Sequence, residues 1–415
     1  MEADIVIHNI GELVTFPEKP LRRPERGNAG IVGNALLAVR RGKIVYAGPE
    51  ADAPNIRARR RVNARGLLVT PGLVDPHTHP VFSGDRSREL LLKLEGRSYR
   101  EILESGGGIY YTVEMTRGAG DEELAHGMEE ALILMLEHGT TSVEAKTGYG
   151  LTVEEELRQL KIILETSKRV PQHVTPTLLA HVIPQEYMDS REEYVELLAA
   201  KLIPQAAMRG AEYFDVFCDK GAYTCEETRR LFRAALSAGL KLRLHADEIA
   251  YIGCSRLALE FPVHSVDHLE NTPPEVVEAL SRTRTVATLL PTSMLSVFTS
   301  KKPPVEALRR YGVPIALGTD YNPNNMNPNM QSAIDASIYL LRLKPLEALA
   351  AATANAAYSL DLHDRGCLAP GCRADIIVWG LERVEQLGYY WGYNRALLVL
   401  SEGAPVAGDM LEAAL

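Results

Sequence analysis

Two histidines one residue apart, His77 and His79, follow an apolar run that closes at Pro76. On an extended backbone, residues i and i+2 point to the same side, so both imidazoles converge on one point. Neutral imidazole is the commonest protein metal ligand, and such a pair supplies half of a tetrahedral site. Further along, His181, His245, His268 and Asp320 each stand where an apolar segment ends. Three imidazoles and a carboxylate (His77, His79, His245 and Asp320) suit a divalent or trivalent ion such as Zn2+ or iron. Water on such an ion has a pKa of about 7, which makes hydroxide available at neutral pH. His181, His268 and Glu248 are then left to polarise a substrate and to transfer protons.

Most other histidines and acids have blander readings. His173 and His264 begin their segments rather than end them, and His8, His126, His138 and His363 fall on polar stretches. The run Glu154-Glu155-Glu156 opens a helical segment and complements its dipole. Glu101 and Glu104 read as solvated helix positions. Asp219 ends the fourth apolar segment, where a carboxylate can face the same mouth, and the bland reading of Asp320 is a turn or cap residue before Asn322-Pro323.

The elements that must position these groups recur eight times, over 68–75, 140–146, 173–182, 213–219, 240–246, 263–269, 285–290 and 314–319. Helical stretches such as 121–138 and 153–169 lie between most of them. This order predicts the α/β class, a (β/α)8 TIM-type barrel over 67–365 with chemistry at the C-terminal ends of its strands. An open doubly wound sheet is the rival, but no G-x-G-x-x-G follows an early strand. Residues 1–66 and 366–415 read as short strands, and so predict a small β-sandwich domain built from both termini.

Composition narrows the function classes. With 46% hydrophobic and 24% charged residues the chain reads as a soluble globular protein with a large core. A net charge of -9 argues against a nucleic-acid partner. No apolar run approaches the roughly 20 residues that span a bilayer, and the first residues lack a secretory pattern. A cytoplasmic setting is the expectation. The five cysteines form no C-x-x-C, so reduced thiols are expected as well.

With these residues in hand, the chain resembles the amidohydrolase superfamily, whose signature is His-x-His, two later histidines and an aspartate at barrel strand ends. The likeness is closest to the branch that opens the ring amide of 4-imidazolone-5-propanoate to N-formimidoyl-L-glutamate in histidine degradation. Its carriers are His77-Thr78-His79-Pro80-Val81-Phe82 running to Arg86, Ser105-Gly106-Gly107-Gly108-Ile109, and Glu144-Ala145-Lys146-Thr147-Gly148-Tyr149-Gly150-Leu151. His181 with Pro184-Gln185-Glu186-Tyr187, His245-Ala246-Asp247-Glu248 and Gly318-Thr319-Asp320-Tyr321-Asn322-Pro323 complete them.

The resemblance implies one metal ion per subunit, a small-molecule substrate with a carboxylate tail, and a homodimer. It also implies roles. Arg86 and Tyr149 take the tail, Tyr99 lines the pocket, His181 sits near the ring carbonyl as a donor, and Glu248 faces the ring nitrogens. Glu248, His268 and Asp320 share the proton transfers. Asn322 belongs to the substrate-binding loop, and Asn324 and Asn325 stand where the branch places Gly and then Ser or Thr. Asn adds bulk there and loses glycine's freedom at φ > 0. A bridging carboxylated lysine at Lys220, which would make the site dinuclear, is disfavoured because strand alternation turns Lys220 away from Asp219. A deaminase of a heterocyclic base and a barrel that has lost its chemistry are the competing readings.

Overall fold

The computed structural model describes residues 1–97, 101 and 107–408. Tyr99, Glu104, Ser105 and Gly106 lie outside the described residues. Eight parallel strands make the barrel in chain order: β6 (Leu73–Asp75), β7 (Thr140–Lys146), β8 (His173–Ala180), β9 (Tyr213–Cys218), β10 (Lys241–Ala246), β11 (Val263–His268), β12 (Val286–Leu289) and β13 (Ile315–Leu317). Most of their residues are buried, as parallel strands wrapped by helices must be. The seam between β13 and β6 closes just beyond their ends. Thr319 donates from its amide and hydroxyl to the Asp75 carboxylate at 3.1 and 2.6 Å, and Asp320 N donates to His77 O at 3.1 Å. That seam sets two metal-ligand candidates side by side.

Local sequence starts and stops the helices. Thr224 and Glu227 form a reciprocal capping box that opens the helix Cys225–Ser237. Thr152 caps Val153–Thr166 by accepting from Glu155 N at 3.2 Å. Glu156 departs from the dipole role: it is buried, and one carboxylate oxygen accepts from Gly150 N and Leu151 N at 2.8 Å. It thereby fixes the loop that carries Tyr149.

The remaining strands form a separate sheet from both termini: β1 (Glu2–Val14), β2 (Ile31–Arg40), β3 (Lys43–Pro49), β4 (Arg57–Asn63), β5 (Leu68–Pro71), β14 (Ile376–Trp379), β15 (Ala396–Ser401) and β16 (Ala404–Ala407). Period-two alternation along β14 docks it on the barrel. Ile376 and Val378 face the sheet's own core with Ile7, Leu37 and Leu398, while Ile377 and Trp379 join the barrel's cluster. The apolar run 68–75 is therefore divided, half to each sheet, with Gly72 at the division. A Cβ on Gly72 would lie 2.2 Å from Thr141 Oγ1, so only glycine fits the crossing.

The thiol expectation is overturned. Cys218 pairs with Cys254 and Cys367 with Cys372 as disulfides, with Cα separations of 5.8 and 6.2 Å, and Cys225 is free. The Cys218–Cys254 partners are 36 positions apart and meet only because β9 and the turn after β10 are neighbours, which spacing alone does not reveal. Among the described residues no helix is long and apolar enough to cross a membrane.

Candidate active site

His77 and His79 leave β6 on one side, as the spacing requires, and their Nε2 atoms lie 3.3 Å apart. Asp320 Oδ1 lies 3.5 Å from His77 Nε2 and 3.4 Å from His79 Nε2. Ligands at 2.0–2.1 Å from a tetrahedral zinc ion stand about 3.3–3.4 Å from one another, so three of the donors already hold that spacing. The His245 ring centroid is 4.3 Å from that of His77, and its buried Nε2 has no hydrogen-bond partner. An orphaned buried imidazole nitrogen facing two others is the mark of a cation site. The four residues fit a divalent metal.

Electrostatics favour the ligating forms. Burial, with Lys146 and the other histidines nearby, holds His77 well below its ordinary value, and burial brings His245 down to about 4. Burial works against ionisation of Asp320, but His79 and His268 beside it hold its carboxyl below the usual range. Neutral imidazoles and an ionised carboxylate are the forms that bind metal.

Under these ligands lies a fully buried set of charges. His77 Nδ1 donates to Asp267 Oδ2 at 2.7 Å, which fixes its tautomer and turns Nε2 toward the site. His245 Nδ1 is 3.0 Å from Asp215 Oδ2. Lys146 donates to Asp215 at 2.7 Å and Glu144 at 2.6 Å, and Arg243 donates to Asp267 at 3.2 Å and to Pro76 O at 2.8 Å. Lys146 is thus the contribution of β7 to the frame beneath His77 and His245. Lys220 is exposed, in keeping with a mononuclear site.

Above the ligands opens a cavity of about 480 Å³ with two electrical poles. Its acidic side holds Glu248, Glu270 and Asp320, and its basic side holds Arg86, Lys93 and Arg97. Tyr149, His181, Asn322 and Asn324 line it as expected. Tyr149 is buried, which pushes its phenol up and keeps the hydroxyl a donor at any working pH.

Four expectations change. Asn325 does not line the cavity; its side-chain amide donates to Thr319 O at 2.8 Å and Asp320 O at 3.2 Å, so it holds the backbone of the aspartate ligand rather than substrate. Neither Asn324 nor Asn325 adopts a positive φ, so the missing glycine exacts no strain. Arg86 has its Nε–Nη2 edge engaged by Glu89 at 2.8 and 2.7 Å, which leaves the Nη1 end of the fork for a ligand. His181 Nδ1 donates to Gly148 O at 3.2 Å. Burial and the neighbouring histidines keep the ring neutral, so Nε2 carries the lone pair and accepts, the reverse of the donor role.

The end of β11 was only partly legible. His268 Nε2 is 3.7 Å from Glu248 Oε2, and its Nδ1 is 3.8 Å from Glu270 Oε2. Burial opposes charge on His268, but Glu248, Glu270 and Asp320 outweigh it and raise the ring to about 9. Burial lifts Glu270 to about 8 against the pull of His268, and burial with Asp320 and Asp219 raises Glu248. A cation on the adjacent ligands lowers all three. His268 and Leu269 both sit at positive φ, 79° and 72°, a conformation that costs of order 1–3 kcal/mol per non-glycine residue. Lys93 was missed too; it donates to Asn324 Oδ1 and Ser296 O and closes the basic pole. Asp219 does not face the mouth but accepts from Ile249 N and Ala250 N at 3.0 Å, anchoring the loop behind Glu248.

The chain is similar to known proteins in sequence and in fold. The amidohydrolase family model matches residues 68–407. The imidazolonepropionase of Pyrobaculum arsenaticum is 47% identical over 403 residues, covering 97% of this chain and 99% of the relative. That of Herpetosiphon aurantiacus is 38% identical over 422 residues and 99% of both chains. Among solved structures, a triazine hydrolase variant superposes with a TM-score of 0.76 at 17% identity over 98% of this chain and 95% of that one. An adenosine deaminase from Xanthomonas campestris with bound zinc gives 0.74 at 22% over 99% and 94%. These two likenesses concern the fold. The chain belongs to the amidohydrolase family and, within it, to the imidazolonepropionases.

Proposed function

We propose that this protein hydrolyses the ring amide of 4-imidazolone-5-propanoate, giving N-formimidoyl-L-glutamate in histidine degradation. The observation that carries the reading is the two-pole cavity set directly on three histidines and an aspartate. A propanoate tail needs a cation, and Arg86, Lys93 and Arg97 supply that end. The imidazolone ring then lies over the ligands at the acidic end. A neutral nucleobase would make no use of the free Nη1 end of the Arg86 fork, which disfavours the deaminase reading.

His77, His79, His245 and Asp320 would hold the ion, Zn2+ or iron. When bound it supplies Lewis-acid polarisation of the attacking water and of the ring carbonyl. The protein's residues do the rest. Arg86 Nη1 and the Tyr149 hydroxyl hold the carboxylate, and His181 Nε2 accepts a ring N–H. Glu248, on the cavity wall beside His268, takes the proton released by the attacking water. His268 Nε2, 3.7 Å from Glu248 Oε2, carries that proton to the departing ring nitrogen. Asp320 lies between two ligand histidines and serves as a ligand. We take the enzyme to be a cytoplasmic homodimer, as its relatives' resemblance implies.

An assay of the purified protein on imidazolone propanoate beside a panel of aminated nucleobases tests the reading. Ring opening of the former alone is expected; ammonia release from the panel alone would overturn it.

A further inference from the structure

We propose that Glu270 is the positioning residue for His268: its carboxylate holds the proton on Nδ1 so that Nε2 is free to receive one. This rests on the hydrolytic reading above. Glu270 Oε2 and His268 Nδ1 are both buried without a hydrogen-bond partner, and they face each other at 3.8 Å. Their side chains are 2% and 3% exposed. Two orphaned polar atoms opposite one another are individually unfavourable and jointly satisfied by a small closure. Loose contacts of this kind in a ligand-free site tighten in the substrate complex.

The backbone supports the assignment. A strand ending normally at His268 would carry the chain away from the cavity. Instead His268 and Leu269 take left-handed conformations in succession, and Leu269 N and Asn271 N donate to Ala246 O at 3.1 Å and Asp247 O at 2.8 Å. The result places Glu270 on the cavity wall beside the ring two positions earlier. Backbone strain held this firmly at a site is an observation that asks for a role.

The need for such a residue follows from Glu248. A neutral imidazole has one ring proton, and Glu248 at 3.7 Å from Nε2 draws that proton to Nε2. In that tautomer the ring cannot accept from Glu248 where the relay requires it. A second carboxylate on Nδ1 reverses the preference. Glu270 acts through His268.

A double-mutant cycle on the zinc-loaded protein tests this. Glu270→Gln should lower kcat on the order of 100-fold with KM little changed and metal content intact. Combined with His268→Asn it should add no further loss, because both remove one function. Losses that multiply, or a kcat for Glu270→Gln near wild type, would overturn the assignment. Nitrogen-15 spectra of histidine-labelled wild type give a readout independent of turnover: His268 Nδ1 should be protonated and should stay so in Glu270→Asp. An unprotonated Nδ1 in wild type would also overturn it, even if Glu270→Gln does not fold. Failure of wild type to open the ring would instead strike at the proposed reaction, and leave the spectra to decide the role of Glu270.

Discussion

The floor and the rim of this cavity are built by opposite rules. Beneath the ligands, Glu144, Lys146, Asp215, Arg243 and Asp267 are fully buried on strands and bonded to one another or to the ligand histidines. At the rim, Arg86 and Lys93 sit on the short helix Ser87–Leu94 and its cap, and Arg97 is more than half exposed. The floor has no solvent to make up for a lost partner; at the rim Arg97 does, while Arg86, its side chain 11% exposed, is held by the buried Glu89. The proposed metal site therefore has its geometry set by a buried frame, and the proposed substrate contacts lie on a more open edge.

That contrast ranks the effects of substitution. Lys146→Met should be the most damaging, because it strands Glu144 and Asp215 without their cation. Removing one partner of a buried pair costs about 3–5 kcal/mol, to be read as a lower urea midpoint with loss of bound metal. Asp267→Asn keeps the shape but frees the His77 tautomer, and should weaken metal binding about 10–100-fold in a chelator competition while the fold persists. Arg86→Ala should raise KM by roughly 10–100-fold for a charge-assisted contact of about 1.5–3 kcal/mol, with kcat little changed. An unchanged KM would remove Arg86 from the carboxylate role. If Arg86→Ala lost metal, or Asp267→Asn changed only KM, the division between floor and rim would fail.

The same division describes what the sequence made legible. The convergence of His77, His79, His245 and Asp320 was readable because strand ends impose a fixed side and a fixed order. Lys146 and Arg243 were invisible as partners, since a charged residue inside an apolar strand gives no sign of which distant carboxylate it meets. Asn325 was misread because its position in a loop predicts proximity to substrate but not the direction of its amide. Lys93 and Glu270 were missed for related reasons: one belongs to a helix without a motif, and the other depends on two left-handed residues that no local pattern announces. The Cys218–Cys254 pair, too, is a tertiary fact.

The smallest expected effect comes from the opposite end of the barrel. Burial lowers His173 and His264 to about 4 in the folded chain, against about 6.5 when unfolded. A depressed folded pKa means that the unfolded chain binds the extra protons first as pH falls. Stability from these two groups is full above about 6.5 and is lost between there and about 4. Urea midpoints measured across that window should fall less steeply in His173→Phe than in wild type.

The central claim is that four side chains from β6, β10 and the turn after β13 enclose one cation. Elemental analysis of the purified wild type and His245→Ala measures it directly. The account predicts close to one zinc or iron per chain in wild type and a large loss in the variant. Equal metal in both, or none in wild type, would contradict it.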